Sequence, residues 1–358
     1  PGVPVPMHHL QSTVPERPRR DATRRAVLAA LAACFAVPAF AATGLELSPP
    51  DALAQVKSGK LILVDVRTPG EWKQTGVAQG AVMLPIAARA GIPYVSQAPV
   101  SAVEMGAPGG YMLSGGSVAV LKGQAVTAAK AGVKKFTILI GDSGDAAASV
   151  GQMAQAFFKP AGIDVKVVVI PSNVADPTPQ ITAGLTDKPD AVTILGDTRQ
   201  CVSALKALKT AAPDVPRYLI PSCLDKTVTD AVGVDAIEGA KAFTSILTTG
   251  DDPSVVKYRS ILAAYAPDVD PNGLAYLGYQ VITSLGEVGK NLPAGPITAQ
   301  QYTTALKSAV DVPVPAAPGL TFTCNGQAFP KAPNLCSTSI LVSDVGADGK
   351  LSDSTVVN

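Results

Sequence analysis

Residues Phe136 to Ile170 read FTILIGDSGDAAASVGQMAQAFFKPAGIDVKVVVI, and this stretch decides the fold. An apolar run, Phe136 to Ile140, is followed by a helical pattern from Ala146 to Phe158 and by a second apolar run, Val165 to Ile170. Two strands joined by a helix and short loops form a right-handed βαβ unit with parallel strands. The continuous run VKVVVI is typical of a strand that is buried on both faces. The stretch therefore predicts an α/β fold built on a parallel sheet.

The same alternation continues on both sides of this unit. A helix from Ser117 to Ala131 precedes it, and the turn Asp176-Pro177-Thr178-Pro179 after it begins a helix to about Leu185. Strands and helices then alternate as far as Leu247: strand Ala191–Leu195, helix Arg199–Thr210, strand Arg217–Ile220, helix Lys226–Val232 and strand Ala240–Leu247. These elements predict one complete α/β lobe, the second lobe, over about residues 117–247.

The flanking regions are less regular. A short strand is predicted at Gly91–Ser96. After the second lobe come three helices with no strands between them: Pro253–Tyr265, Leu274–Val288 and Thr298–Val310. The final segment, Phe322–Val357, reads as extended strands with a turn at Asp348-Gly349.

Composition excludes several classes of function. The 358 residues carry a formal net charge of +1, so charge gives no argument for a nucleic-acid partner. The only histidines, His8 and His9, lie upstream of a hydrophobic run. If that segment is cleaved, the mature protein has no histidine, which excludes Ser-His-Asp and Cys-His catalysis and histidine metal ligands. No cofactor is indicated.

Residues 1–41 are predicted to be an export signal. Met7 is the expected start, and a basic stretch precedes an apolar run from Ala26 to Ala36. Ala39-Phe40-Ala41 fits a small-residue cleavage site. The apolar run is too short for a comfortable membrane span. Cleavage after Ala41 or Ala42 is favoured over two alternatives, a lipid anchor on Cys34 and a buried helix.

Four cysteines remain after cleavage, and an even number in an exported chain indicates disulfides. Three connectivities are open, of which the local one closes short loops: Cys201 with Cys223 and Cys324 with Cys336. A zinc site is the competing interpretation, but the sequence lacks CxxC spacing and histidine ligands.

Residues Leu61 to Ile86, LILVDVRTPGEWKQTGVAQGAVMLPI, resemble the opening of a rhodanese domain. In that family an apolar-Asp-Val-Arg strand anchors a loop with a Glu-Trp pair, matched here by Asp65, Arg67 and Trp72. The resemblance covers about residues 42–86 and implies two strands, Lys60–Val66 and Ala81–Leu84. Rhodaneses also need a cysteine that heads a Cys-x5-Arg loop, and no cysteine here has arginine at that offset. A sulfurtransferase is therefore disfavoured, and Asp65 and Arg67 are expected to form a structural ion pair.

From about residue 87 to the C-terminus, the chain resembles the type I periplasmic solute-binding proteins of ABC transporters, of the Leu/Ile/Val-binding type. The strings that carry the resemblance occur in the family's order: GIPYVSQAPVS from Gly91, ADPTPQ from Ala175, the strand Ala191–Asp197 followed by TRQC, and LCSTSILV from Leu335. The resemblance implies two Rossmann-like lobes with parallel sheets. Because the family begins with a full βαβ series, the first lobe is expected to be incomplete and the second complete.

The family's activity is binding, not catalysis. The resemblance implies an extracytoplasmic solute-binding component of an ABC importer, with the transporter permease as partner and a small, amino acid-like solute held between the lobes. The implied ligand-binding residues are Ser96, Ala98 and Ser101 in the first lobe and Asp197, Thr198 and Ser222 in the second. Asp197 is the expected partner of a ligand ammonium group. Helix capping is the alternative role for these residues. A non-functional fusion of two gene fragments, joined near Ile86, is the remaining alternative.

Overall fold

The computed structural model describes residues 80–141, 145–170, 176–290 and 292–358. All of them belong to one compact unit, Ala52–Asn358. The export signal, a lipid anchor on Cys34, the strand Lys60–Val66 and the Asp65–Arg67 ion pair lie outside the described residues and stay predictions. Within these ranges, no helix is long and apolar enough to cross a membrane.

The described strands form one seven-stranded sheet and two small two-stranded sheets. In chain order they are β1 Tyr94–Ser96, β2 Gly110–Met112, β3 Lys135–Gly141, β4 Asp164–Ile170, β5 Ala191–Leu195, β6 Arg217–Leu219, β7 Lys241–Thr244, β8 Val312–Pro313, β9 Thr321–Phe322, β10 Ile340–Asp344 and β11 Thr355–Val357. The large sheet has the order β11-β10-β7-β6-β5-β3-β4. Its strands β3 to β7 are parallel, whereas β10 pairs antiparallel with β7 and with β11. The predicted parallel sheet is confirmed.

Helices cover both faces of the large sheet. The described helices are α1 Gly80–Arg89, α2 Ala102–Gly106, α3 Ser117–Lys130, α4 Asp145–Phe158, α5 Thr178–Gly184, α6 Thr198–Ala211, α7 Lys226–Val232, α8 Pro253–Tyr265, α9 Ala275–Gly289 and α10 Ala299–Ser308. The central strand β3 shows how both faces of the sheet are buried. Its Phe136 and Ile138 pack in the cluster that holds α3 and α4, and Leu139 packs in the cluster that holds α5, α6 and α7. Alternate side chains of one strand therefore serve two cores.

The prediction that VKVVVI is buried on both faces is confirmed in part, because Val165 is buried in the cluster that holds α3 and α4 and Ile170 in the cluster that holds α5, α6 and α7. This run forms β4, which lies at the edge of the sheet, and Val169 is 41% exposed. The sheet centre is taken instead by β3, in which every residue after Lys135 is buried. An apolar run predicts a strand, but it does not specify how many neighbours that strand has.

We keep the name first lobe, from the prediction, for the described elements outside the large sheet and the helices that cover it. β1 and β2 form a parallel pair, and Met112 makes an isolated bridge to Leu335. The predicted strand Ala81–Leu84 is wrong, because Gly80–Arg89 is the helix α1 and Leu84 is fully buried. Alanine, methionine and leucine are strong helix formers, and four residues are too few to show the alternation of a strand. The expected junction near Ile86 thus falls inside a helix.

The four cysteines among the described residues form two disulfides, with the local pairing. Cys201 is bonded to Cys223 and Cys324 to Cys336, with Cα–Cα distances of 5.1 Å and 4.3 Å. The first ties α6 to the turn after β6 in the second lobe. The second closes the excursion between β9 and β10, where Cys324 and Cys336 pack in the first-lobe core with Tyr111 and Leu113.

The close contact between α3 and β10 gives a testable prediction. A Cβ added to the buried Gly123 of α3 would lie 2.4 Å from Ile340 Cγ2, and a β-branched side chain has little freedom to move away. We expect Gly123→Ala to lower the free energy of unfolding by about 1–2 kcal/mol, because overpacking outweighs the gain in helix propensity.

The matched control is Gly278→Ala in α9, where an added Cβ meets nothing within 4 Å. Here only the helix propensity changes, so stability should rise by about 0.5–1 kcal/mol. Urea denaturation of both variants measures the difference. Equal stability of Gly123→Ala and Gly278→Ala would contradict the close packing.

Candidate functional site

The parallel strands β3, β5, β6 and β7 end along one edge of the large sheet, which we call the carboxyl edge. Helices α3 and α6 begin at this edge, because the helices of βαβ units run antiparallel to their strands. Ligands of open α/β sheets bind at such an edge. The predicted second-lobe residues Asp197, Thr198 and Ser222 all lie here, after β5 and β6.

Asp197 and Thr198 form the start of α6. Asp197 Oδ1 accepts a hydrogen bond from the Gln200 backbone N–H at 2.9 Å, and Gln200 Oε1 accepts one from the Asp197 N–H at 2.8 Å. This reciprocal pair is a capping box. Asp197 Oδ2 lies 3.7 Å from Arg199 Nη2, and the Asp197 side chain is 43% exposed. The carboxylate therefore caps the helix and remains accessible to a cationic group.

Ser222 connects the loops after β5 and β6. Its Oγ donates a hydrogen bond to the Gly196 carbonyl at 2.7 Å. The neighbouring Cys223 is bonded to Cys201 in the first turns of α6. A hydrogen bond and a covalent bond thus fix the two loops that carry the second-lobe candidates.

Gln200 also lies at the carboxyl edge, although the sequence prediction did not include it. A Cβ added to Gly141 or Gly196 would lie 2.2 Å or 2.7 Å from Gln200 Oε1, so this side chain fills the space beside the ends of β3 and β5. The spacing of Asp197 and Gln200 is that of a capping box and was visible in the sequence.

The first-lobe candidates lie in the loop after β1. Ser96 Oγ donates to the Ala98 carbonyl at 3.2 Å. Ser101 caps α2, where its Oγ accepts a hydrogen bond from the Glu104 backbone N–H. Glu104, which is 1% exposed, holds the loop in turn: its Oε2 accepts from the Val100 N–H at 2.7 Å and the Ser101 N–H at 3.0 Å. Ser101 is thus engaged in a second capping box.

The loop after β1 packs against the beginning of α3. A Cβ added to Gly116 would lie 3.3 Å from Ala98 Cβ and 3.2 Å from Pro99 Cδ, and Gly116 has φ of +53°, which favours glycine. Because α3 begins at the carboxyl edge, Ala98 lies beside the same edge as Asp197 and Ser222. The structure therefore brings candidates from both lobes to one end of the large sheet.

A buried polar cluster, Gln97, Ser245 and Gln280, joins this loop to the chain after β7. Gln97 Nε2 donates to Ser245 Oγ at 3.0 Å and to Gln280 Oε1 at 3.2 Å. Gln280 Nε2 donates to the Ser245 carbonyl at 2.8 Å. Burial raises the pKa of the adjacent Tyr276 phenol, while a hydrogen bond with the Ser245 side chain lowers it. The phenol therefore stays neutral at physiological pH.

Other features of the described residues do not form the predicted site. No three His, Cys, Asp or Glu side chains gather to hold a metal ion within the described ranges. A cavity of about 470 Å³ lies at the start of β2, lined in part by Gly110, Lys307 and Asn325. The strand β1 ends at Ser96, at the opposite end of the β1–β2 pair, so none of the predicted ligand residues lines this cavity.

A family model described as periplasmic binding protein matches residues 72–332. The match begins within the range 42–86, which resembles the rhodanese opening, and runs through both lobes. The rhodanese resemblance and the domain boundary at residue 87 stay predictions. No curated protein matches the chain in sequence.

Solved structures share the fold. A leucine binding protein from Thermotoga maritima is 17% identical, with 86% of this chain and 83% of that chain covered and a TM-score of 0.64. A putative branched-chain amino acid ABC transporter from Rhodospirillum rubrum is 18% identical, with coverage of 86% and 82% and a TM-score of 0.63. A solute binding protein from R. palustris, in complex with benzoate, is 17% identical, with coverage of 77% and 74% and a TM-score of 0.59.

At these identities the structural likeness shows the fold alone, and it confirms the predicted α/β fold of the type I binding proteins. The family model adds a sequence match that spans most of the chain and includes the loop after β1, the second lobe and the helices α8 to α10. On this evidence the chain belongs to the periplasmic binding protein family.

Proposed function

We propose that this protein is the extracytoplasmic solute-binding component of an ABC importer and that it binds a small polar solute, such as a branched-chain amino acid, between its lobes. The observation that carries the proposal is that the loop after β5 lies at the carboxyl edge and that the loop after β1 packs on Gly116, at the beginning of α3 on the same edge. A site at such an edge, closed by two lobes, suits a small ligand with few polar groups.

The carboxylate of the solute would bind at the beginning of α3. Gly116 precedes this helix and provides no side-chain cap, whereas α2 and α6 are capped by Ser101 and Asp197. The first N–H groups of a helix and its dipole favour an anion. Ser96 and the backbone of Ala98, in the loop against Gly116, would supply further hydrogen bonds.

The ammonium group of the solute would bind Asp197. This carboxylate is exposed at the carboxyl edge, and its remaining capacity as an acceptor suits a three-donor ammonium. Thr198 and Ser222 flank it and would contribute hydroxyl groups. Ser101 is committed to its helix cap, so we assign it the role of holding the loop rather than of touching the solute.

A solute-binding component of this kind acts outside the cytoplasm and delivers its ligand to a membrane permease. The proposal therefore includes export by the N-terminal segment, with cleavage after Ala41 or a lipid anchor on Cys34, and an ABC transporter permease as partner. N-terminal sequencing of the exported protein distinguishes the two forms of processing.

Ligand binding should be visible as stabilisation. At a free ligand concentration of a hundred times Kd, a ligand that binds only the folded state adds about 2.7 kcal/mol to the free energy of unfolding. Thermal denaturation with L-leucine, L-isoleucine, L-valine and benzoate tests this. Absence of a shift with every small solute that is screened would argue against the function.

The role of Asp197 gives a sharper test. Asparagine is also a good helix cap, so Asp197→Asn should leave α6 intact while it removes the charge. We expect this variant to bind L-leucine about tenfold more weakly, which corresponds to about 1.4 kcal/mol. Benzoate has a carboxylate but no ammonium group, so its affinity should not change. An equal loss for both ligands, measured by calorimetry, would remove Asp197 from the ammonium site.

A further inference from the structure

We propose that Gln280 is a positioning residue that fixes the ligand-binding loop after β1 onto the chain segment that leaves the second lobe. The affinity part of this inference rests on the proposed function. The structural part, that one side chain of α9 orders a loop 183 residues away in sequence, stands on the hydrogen bonds alone.

The carboxamide of Gln280 is fully buried and makes three hydrogen bonds. Its Nε2 donates to the Ser245 carbonyl at 2.8 Å and to the Pro315 carbonyl at 2.9 Å, and its Oε1 accepts from Gln97 Nε2 at 3.2 Å. This pattern requires two donors and one acceptor on one planar group. A carboxylate would face two carbonyl oxygens without a donor, and an apolar side chain would remove all three hydrogen bonds and leave Gln97 Nε2 with Ser245 Oγ alone.

Gln97 is the residue through which Gln280 holds the loop. Its side chain is held by Gln280 and Ser245, and its carbonyl accepts a hydrogen bond from the Ser114 N–H at 2.7 Å. Ser114 lies in the segment that enters the second lobe, and Ser245 lies in the segment that leaves it. One residue of the loop is therefore bound to both segments, and it stands between Ser96 and Ala98.

The segments in question join the large sheet and its helices to the elements outside them. Residues 113–116 lead from β2 to α3, 245–247 lead from β7 toward α8, and 337–339 lead back to β10. A Cβ on Gly115 would lie 3.0 Å from the Ser337 carbonyl, so the first and third segments also touch. Gln280 binds both Gln97 of the loop and Ser245 of the second segment, 245–247. These hydrogen bonds fix the position of the loop relative to the three segments.

Gln280→Met keeps the volume and removes the hydrogen bonds. Without ligand, we expect amide hydrogen exchange to become about tenfold faster in peptides that cover 95–98 and 113–116, with β5 unchanged. With L-leucine as probe, Kd should rise about tenfold, because the loop must be ordered on binding. Gln97→Met removes the same contact from the other side and should give the same local pattern, which provides a second variant if Gln280→Met does not fold.

The matched control is Ser284→Ala, in the same helix. Ser284 is also fully buried, but its hydroxyl has no hydrogen-bond partner among the described residues, so its removal should leave exchange and Kd unchanged. Uniformly faster exchange across both lobes in Gln280→Met would show a merely structural role and overturn the inference, as would unchanged exchange in the loop. If the wild type binds none of the amino acids or benzoate, the proposed function fails, and the exchange measurement alone decides the role of Gln280.

Discussion

Replacement of Glu104 by alanine is expected to lower the free energy of unfolding by about 3 kcal/mol. The side chain is 1% exposed, and its carboxylate accepts hydrogen bonds from Tyr94 Oη at 2.7 Å, the Val100 N–H at 2.7 Å and the Ser101 N–H at 3.0 Å. Hydrogen bonds to a charged acceptor contribute about 1.5–3 kcal/mol each, although water that enters the space replaces part of this. Urea denaturation measures the loss.

Two further variants show whether the loss of stability comes from the hydrogen bonds of Glu104 or from the removal of any glutamate. Glu104→Gln keeps the shape and can still accept from the backbone N–H groups, so it should lose only about 1 kcal/mol. Glu287→Ala removes an exposed glutamate whose Lys290 ion pair lies on the surface of α9, and it should cost less than about 0.5 kcal/mol. If Glu104→Ala proved as stable as Glu287→Ala, the carboxylate would not be what holds the loop.

The Glu104→Ala substitution should also weaken ligand binding. The loop it holds contains Ala98 and Pro99, which pack on Gly116 at the start of α3. A loop that is no longer ordered before binding must be ordered by the ligand, which weakens affinity. The sequence carried the signal for this residue, since Ser101 and Glu104 have the spacing of a capping box. The same spacing explains why Ser101, a predicted ligand contact, is engaged with Glu104.

The fold could be predicted where sequence pattern and burial coincide. The elements of the second lobe and the helices Lys226–Val232 and Pro253–Tyr265 have the bounds expected from periodicity or lie within a few residues of them. The prediction fails where the hydrophobic pattern does not determine the structure. Nothing in VKVVVI says that β4 is an edge strand, and the run Ala81–Leu84 is too short to distinguish helix from strand.

The candidate site was predictable only in part, because local sequence does not show which distant residues meet in the folded chain. Serine, threonine and aspartate after β-strands can be found from local sequence, and the structure places the three in the second lobe together. The polar cluster could not be found in this way, because Gln97 and Gln280 meet only after the chain has folded. A glutamine in a helix is ordinary in sequence, and only its complete burial and its three bonded partners distinguish Gln280.

Removal of the disulfide between Cys201 and Cys223 is expected to cost about 3 kcal/mol of stability, because the bond closes a loop with a sequence separation of 22 and restricts the unfolded chain. Replacement of both cysteines by alanine avoids a buried hydroxyl and a free thiol. Both positions are fully buried in the core beside Ile194 and Leu205, so the small side chains also leave a cavity. Urea denaturation with and without a reductant measures the loss in the wild type and in the variant.

The second disulfide provides the control that separates stability from site geometry. Cys324 and Cys336 close a loop with a sequence separation of 12, so their replacement by alanine should cost nearly as much, about 3 kcal/mol. Of these two disulfides, the one between Cys201 and Cys223 links the loops that carry Gly196 and Ser222, which the Ser222–Gly196 hydrogen bond also joins. Loss of this disulfide should therefore speed hydrogen exchange at 196–201 and 220–223 and weaken solute binding, whereas loss of the other bond should leave both unchanged. If the two double variants had the same effect at the carboxyl edge, the Cys201–Cys223 bond would stabilise the lobe without shaping the site.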